Sequence, residues 1–278
     1  MSHKFEKCLS RGTAAGVIRQ WLTLTALLLP VTVFAQGEPI HIALFASFPP
    51  MAYQDPETGK LAGIDVALAN YIGVKLHRPV VWQDVSYEAA VPALTTGRVD
   101  LALSMLDEPA SRDKLDYSDY LKSGIQAYAL KTHAPIDSLL ALCGQTVGAN
   151  RRNGFSAIMR QWSTQHCLPA GKPAMAVRDA EGTQMARLDL KQHRVDAIVQ
   201  SSESVPYIFS QEPGTYIAVG EQLPSSVIAI AYPKGADLLR KQVDAALRDA
   251  VADGTYERIL TQYHLTANSA SAEIRASH

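Results

Sequence analysis

The chain has 278 residues, 47% hydrophobic and 19% charged, with 26 Lys and Arg balanced by 27 Asp and Glu for a net charge of −1. That length suits one large domain or two modest ones, and so even a balance lacks the basic excess that nucleic-acid binding needs. Eight histidines at no short ligand spacing give a metal site no support, so neither metal nor cofactor is expected.

Taken in chain order, Lys4, Lys7, Arg11 and Arg19 precede the uncharged run WLTLTALLLPVTVFA, which ends with Val33 and Ala35 in the small-residue positions of a signal-peptidase site. Residues 1–35 therefore read as a signal peptide cleaved after Ala35. The run is about 15 residues against the roughly 20 of a spanning helix, so an uncleaved anchor is the other reading. Cys8 lies ahead of the run and is not the lipidated cysteine that follows one. The mature chain is expected to be soluble and exported.

Next, IHIALF (40–45) reads as a strand, followed by a Pro-rich loop, a turn at Asp55 to Gly59 and a helix whose apolar face carries Ile64, Val66, Leu68, Ala69, Ile72 and Leu76. PVVWQDV is a second strand, Ser86 a plausible N-cap for YEAAVPALTTG, and DLALSM a third strand. Strand, helix, strand, helix, strand implies a parallel sheet. The pattern repeats with QTVGA, a helix over about 153–164, PAMAV, a helix over 181–193, VDAIVQ, a helix from Ser202 and YIAVG. Two strand-like stretches, IQAYALKT (125–132) and VIAIAYPKG (227–235), sit at the block boundaries as crossings. A helical segment follows them, and the polar tail 267–278 is expected to be disordered.

Without the leader only Cys143 and Cys167 remain, and an even count in an oxidising compartment favours a disulfide, with two buried free thiols as the alternative. His166 beside Cys167 makes no nucleophile pair, because adjacent helical residues do not face one another.

The segments PPMAYQDPETGKLAGIDVALA, SYEAAVPALTTGRVDLALSMLDEPASRDKLDYSDYLKSG, LCGQTVGANRRNG, HRVDAIV and ALRDAVADGTYERIL, in this order and spacing, resemble the bacterial extracellular solute-binding proteins of family 3, the periplasmic amino-acid receptors of ABC importers. The resemblance implies a two-lobed α/β fold of the type II periplasmic binding protein kind. Each lobe is a mainly parallel sheet flanked by helices, and the two are joined by a two-strand hinge. Lobe one is expected over 37–130 with a return over 229–266, and lobe two over 131–228. The resemblance further implies a periplasmic monomer that holds a small-molecule ligand in the cleft and hands it to a permease and ATPase complex in the inner membrane.

Residue by residue, Arg112 matches the family's arginine that clamps a ligand carboxylate, a task suited to a planar guanidinium; otherwise it is a solvated loop charge. Phe48 and Tyr87 match aromatic walls around the ligand, with core packing as the bland reading. Ser104, Met105 and Asp107 follow the third strand, where the family offers backbone groups and a hydroxyl. Asn150, Arg151 and Gly154 belong to a strand-to-helix turn whose amides suit an anion, or to a surface turn.

The family's usual acids against the ligand ammonium, after the first strand and after the DAIV strand, are here Phe45 and Ser201, leaving Asp107 and Glu203 as available carboxylates. A dehydratase-like enzyme on the same fold would use one of these as its acid. A ligand-binding accessory or sensory module is the third reading.

Overall fold

The computed structural model describes residues 37–107, 109–132, 136–151 and 154–277; the expected signal peptide lies outside them. Strand β1 (Ile40–Leu44) is buried along almost its whole length, as a strand covered on both faces must be. It pairs in parallel with β5 (Val80–Asp84) and β6 (Leu101–Leu106), connected through helices α1 (Ile64–Leu76) and α2 (Tyr87–Thr95). Helix α1 starts at Gly63, whose φ is 125° and where a Cβ would stand 2.2 Å from the Met51 carbonyl oxygen, so no side chain is tolerated there. The Pro-rich loop contains a small antiparallel sheet of β2 (Ser47–Phe48), β3 (Ala52–Gln54) and β4 (Leu61–Ala62).

The repeat follows with β8 (Thr146–Asn150), α3 (Phe155–His166), β9 (Ala176–Ala180), α4 (Thr183–Lys191), β10 (Ala197–Ser201) and α5 (Val205–Gln211). Strand β8 pairs in parallel with β9 and β10. Strand β9 begins at Ala176, later than PAMAV suggests, because Met175 packs into the core and its amide donates to Ser163 Oγ at 2.8 Å.

Two long antiparallel strands, β7 (Leu115–Leu130) and β11 (Tyr216–Pro233), join the two halves into one sheet of order β5-β1-β6-β11-β7-β10-β8-β9. This is a mixed α/β architecture with helices on the sheet faces. The first half packs around Ile42, Leu68, Leu103, Ile230 and Leu260, and the second around Ala127, Val147, Met159 and Val199.

Because each crossing is a single continuous strand, the chain changes halves in mid-strand. Ile125, Ala127 and Ala129 lie in the second core, not the first, while Val227 and Ile228 pair with Lys122 and Leu121 of the first half. The crossings thus fall near Ser123–Gly124 and Leu223–Ser226, ahead of the expected limits at 130 and 228. A Cβ on Gly124 would sit 2.7 Å from the Leu223 carbonyl oxygen, and glycine is what lets the two strands approach there.

Cys143 and Cys167 form a disulfide with an S–S distance of 2.01 Å. The chain returns through α6 (Asp237–Ala252) and α7 (Thr255–Gln262). The tail, expected to be disordered, instead docks. Helix α8 (Ser271–Ala276) buries Ile274 in the first core, and Ala270 is buried four residues before it on the same face. No described helix is long and apolar enough to cross a membrane.

Candidate functional site

A cleft of about 720 Å³ opens beyond the carboxyl ends of the parallel strands, between the two halves. From the first half, Phe45 follows β1 directly, Phe48 lies on β2, and Ser86 and Tyr87 begin α2. The Phe45 and Tyr87 rings face each other at 5.4 Å between centroids with a 49° tilt, and Tyr87 remains 42% exposed. From the second half come Phe155 at the start of α3, Ser201 at the end of β10, and Glu203. The crossing strands supply Ser123 from β7, and Ser226 and Ile228 from β11.

Glu203 is the most confined charge in the cleft, only 2% exposed. Ser123 Oγ donates to its Oε2 at 2.9 Å. Burial pushes its carboxyl above the usual range, and hydrogen bonds from its own amide and the Ser123, Ser201 and Ser202 hydroxyls partly offset this. A carboxylate so enclosed is one whose desolvation a positive charge in the cleft would offset.

Ser104 contributes placement. Its backbone is left-handed (φ 55°), its hydroxyl donates to Asp65 Oδ2 at 2.7 Å, and its amide donates to the Tyr120 hydroxyl at 3.1 Å. Tyr120 in turn donates to Asp65 Oδ1 at 2.5 Å. Asp65 is fully buried, and desolvation raises its pKa to about 6 against the pull of these two hydroxyls.

Several expected site residues lie elsewhere. Met105 packs in the core with Ala43, Phe45 and Leu94. Arg112 and Asp107 are outside the lining of this cleft, in a separate pocket with Leu115, Asp116 and Tyr117. They bind each other through Nε to Oδ1 at 2.7 Å and Nη2 to Oδ2 at 2.6 Å, so Arg112 clamps an internal carboxylate. Arg151 pairs with Glu181 at 2.8 Å, and Asn150, Arg151 and Gly154 are not among the described residues lining the cleft. Residues 152 and 153 of that turn lie outside the described set.

Phe45, Phe48, Tyr87, Ser104 and Ser201 line this one cleft together with Glu203. Among the other lining residues, Ser86 and Phe155 stand at helix starts, whereas Ser123 and Ser226 lie within the crossing strands, where no local pattern marks them as facing the cleft.

Two halves sharing one sheet through paired crossing strands, with a lined cleft at the strand ends, define the type II periplasmic binding protein fold. More particularly, the chain belongs to the bacterial extracellular solute-binding proteins, family 3, whose model matches residues 40–266. It is 27% identical to an L-arginine-binding protein of Pseudomonas aeruginosa over 87% of this chain and 93% of that protein. It is 23% identical to an ABC transporter glutamine-binding protein of Bacillus subtilis over 76% of this chain and 75% of that one. Among solved structures, an ancestral arginine-binding protein bound to arginine superposes with a TM-score of 0.61 at 28% identity, covering 82% of this chain and 98% of its own. Members of the family bind small solutes, work with ABC transporters and are not enzymes.

Proposed function

We propose that this chain is a periplasmic receptor that captures a small, positively charged amino acid or related compound between its two halves and delivers it to an ABC importer. It is exported by the segment ending at Ala35 and acts as a monomer. The observation that carries this reading is Glu203, a buried carboxylate at the floor of a cleft walled by Phe45, Phe48, Tyr87 and Phe155. The arginine-binding relatives support a cationic ligand class.

The experiment is a thermal-shift screen of protein stripped of copurified ligand by unfolding and refolding, against cationic, polar and acidic amino acids and simple amines. A native-state ligand raises the melting point by mass action. A cationic hit is expected, and Glu203→Gln should weaken its binding roughly ten- to hundredfold, the worth of a charge-assisted contact. No shift with any compound would overturn the reading.

A further inference from the structure

A second groove, of about 470 Å³, lies behind the crossing strands. Successive side chains of β7 alternate faces, and Ser123 lines the ligand cleft while Gln126 lines this groove. The same division holds at the end of β10, where Ser201 and Glu203 line the cleft and Ser202 between them lines the groove. Both halves wall it, the second through Ser202 and Phe209 and the first through His264 and Asn268.

Asn268 is buried there, and a primary amide carries two N–H groups, so it can make two bonds at once. Its Nδ2 donates to the Lys122 carbonyl at 2.8 Å, within the first half, whose core also holds the neighbouring Leu265 and Ile274. It donates as well to Ser202 Oγ at 2.9 Å, and Ser202 belongs to the second half. The Ser202 amide in turn donates to the Gly124 carbonyl at 2.9 Å, at the crossing itself. One arm of Asn268 therefore anchors the side chain to its own half, and the other spans the pivot. Cleft and groove lie on opposite sides of the same two-strand ribbon, so bending that narrows the one widens the other. A stretch of about 0.7 Å is enough to break a bond of this length.

We propose that Asn268 is a brace behind the hinge, which holds the empty halves apart and sets ligand affinity from the face opposite the cleft, because closure has to break its bond to Ser202. This rests on the receptor reading and adds to it a residue that tunes binding without touching the ligand.

Calorimetric titration with arginine and with glutamine tests it, on the parent protein, Asn268→Ala, Ser202→Ala and the double variant. Asn268→Ala should bind two- to tenfold tighter, the factor that one hydrogen bond is worth, while melting at a lower temperature. A merely structural residue would lower the melting point and leave affinity unchanged or weaker. In the Ser202→Ala background the Asn268→Ala change should no longer alter affinity, because the spanning arm is already gone. Should Asn268→Ala fail to fold, Asn268→Leu, which keeps the bulk and has no donor, is titrated in its place with the same expectation. Unchanged or weaker binding in the Asn268 variant, or an equal gain in the Ser202→Ala background, would overturn the brace and leave the receptor reading standing. Absence of binding of both compounds by every protein would also overturn the brace as a determinant of affinity. The receptor reading falls only if the wider thermal-shift screen is blank too.

Discussion

Asp65 is a fully buried carboxylate held by the hydroxyls of Tyr120 and Ser104. Its folded pKa of about 6 lies above its ordinary 3.8, so the folded state holds this proton more tightly than the unfolded chain. The contribution to stability is full below the unfolded value, is lost as pH rises toward 6, and is constant above that. Asp65→Asn should therefore gain on the parent protein as pH rises from 4 to 6 and run parallel beyond. The change is at most about 3 kcal/mol, the free energy of a shift of some two pH units. Denaturant melts of both proteins across that range check it, and a constant difference between them would refute the raised pKa. Tyr120 shows why such a site is hard to read from a sequence. Asp65 lies in α1, Ser104 within β6 and Tyr120 in the crossing strand β7, and only the folded sheet and its helix bring them within hydrogen-bond distance.

At the scale of elements, the βαβ repeats were legible because each half alternates short apolar runs with helical periodicity. The crossings were legible as strands but not in their extent, since YIAVG and VIAIAYPKG are separated by polar residues and are nonetheless one strand, β11, with register shifts between Val219 and Leu223 and between Pro224 and Ser226. Bulges absorb the extra residues, and composition does not announce them. Glu203 was visible as a spare acid after an apolar strand, whereas the capture of Arg112 by Asp107 depends on how the intervening loop folds back. The disulfide joins Cys143, just ahead of β8, to Cys167, just past the end of α3, 24 positions apart. Closing a loop of that length stabilises by about 3 kcal/mol in the chain-entropy model. The double change Cys143→Ser and Cys167→Ser should lower the denaturant midpoint accordingly and leave the variant insensitive to reductant, while reductant lowers the parent's midpoint; an unchanged midpoint would count against a stabilising bridge.

For the whole molecule, the terminal segment ties distant parts together. Asn268 Nδ2 donates to the Lys122 carbonyl at 2.8 Å and to Ser202 Oγ at 2.9 Å, reaching both sides of the crossing. Tyr256 accepts from the Ala270 amide at 2.9 Å while donating to the Tyr120 carbonyl at 2.7 Å, and Lys122 pairs with Glu273 at 3.0 Å. A chain ending after Leu265 should melt lower by about 6 °C or more, given the burial of Ile274 and the usual few degrees per kcal/mol. Scanning calorimetry decides it, and an unchanged melting point would mean the segment is ornamental. The polar look of this tail hid its docking because two apolar residues, Ala270 and Ile274, are enough to anchor six residues of helix.

The pairing of β7 with β11 across the crossing also bears on how the halves move. Strands joined by a ladder do not slide past one another without breaking it, so the ribbon yields by bending while its two passes stay abreast. Such a ladder opposes sideways travel and favours bending, which would carry Phe45 and Tyr87 on one lip toward Phe155 and Glu203 on the other along much the same path at each closure.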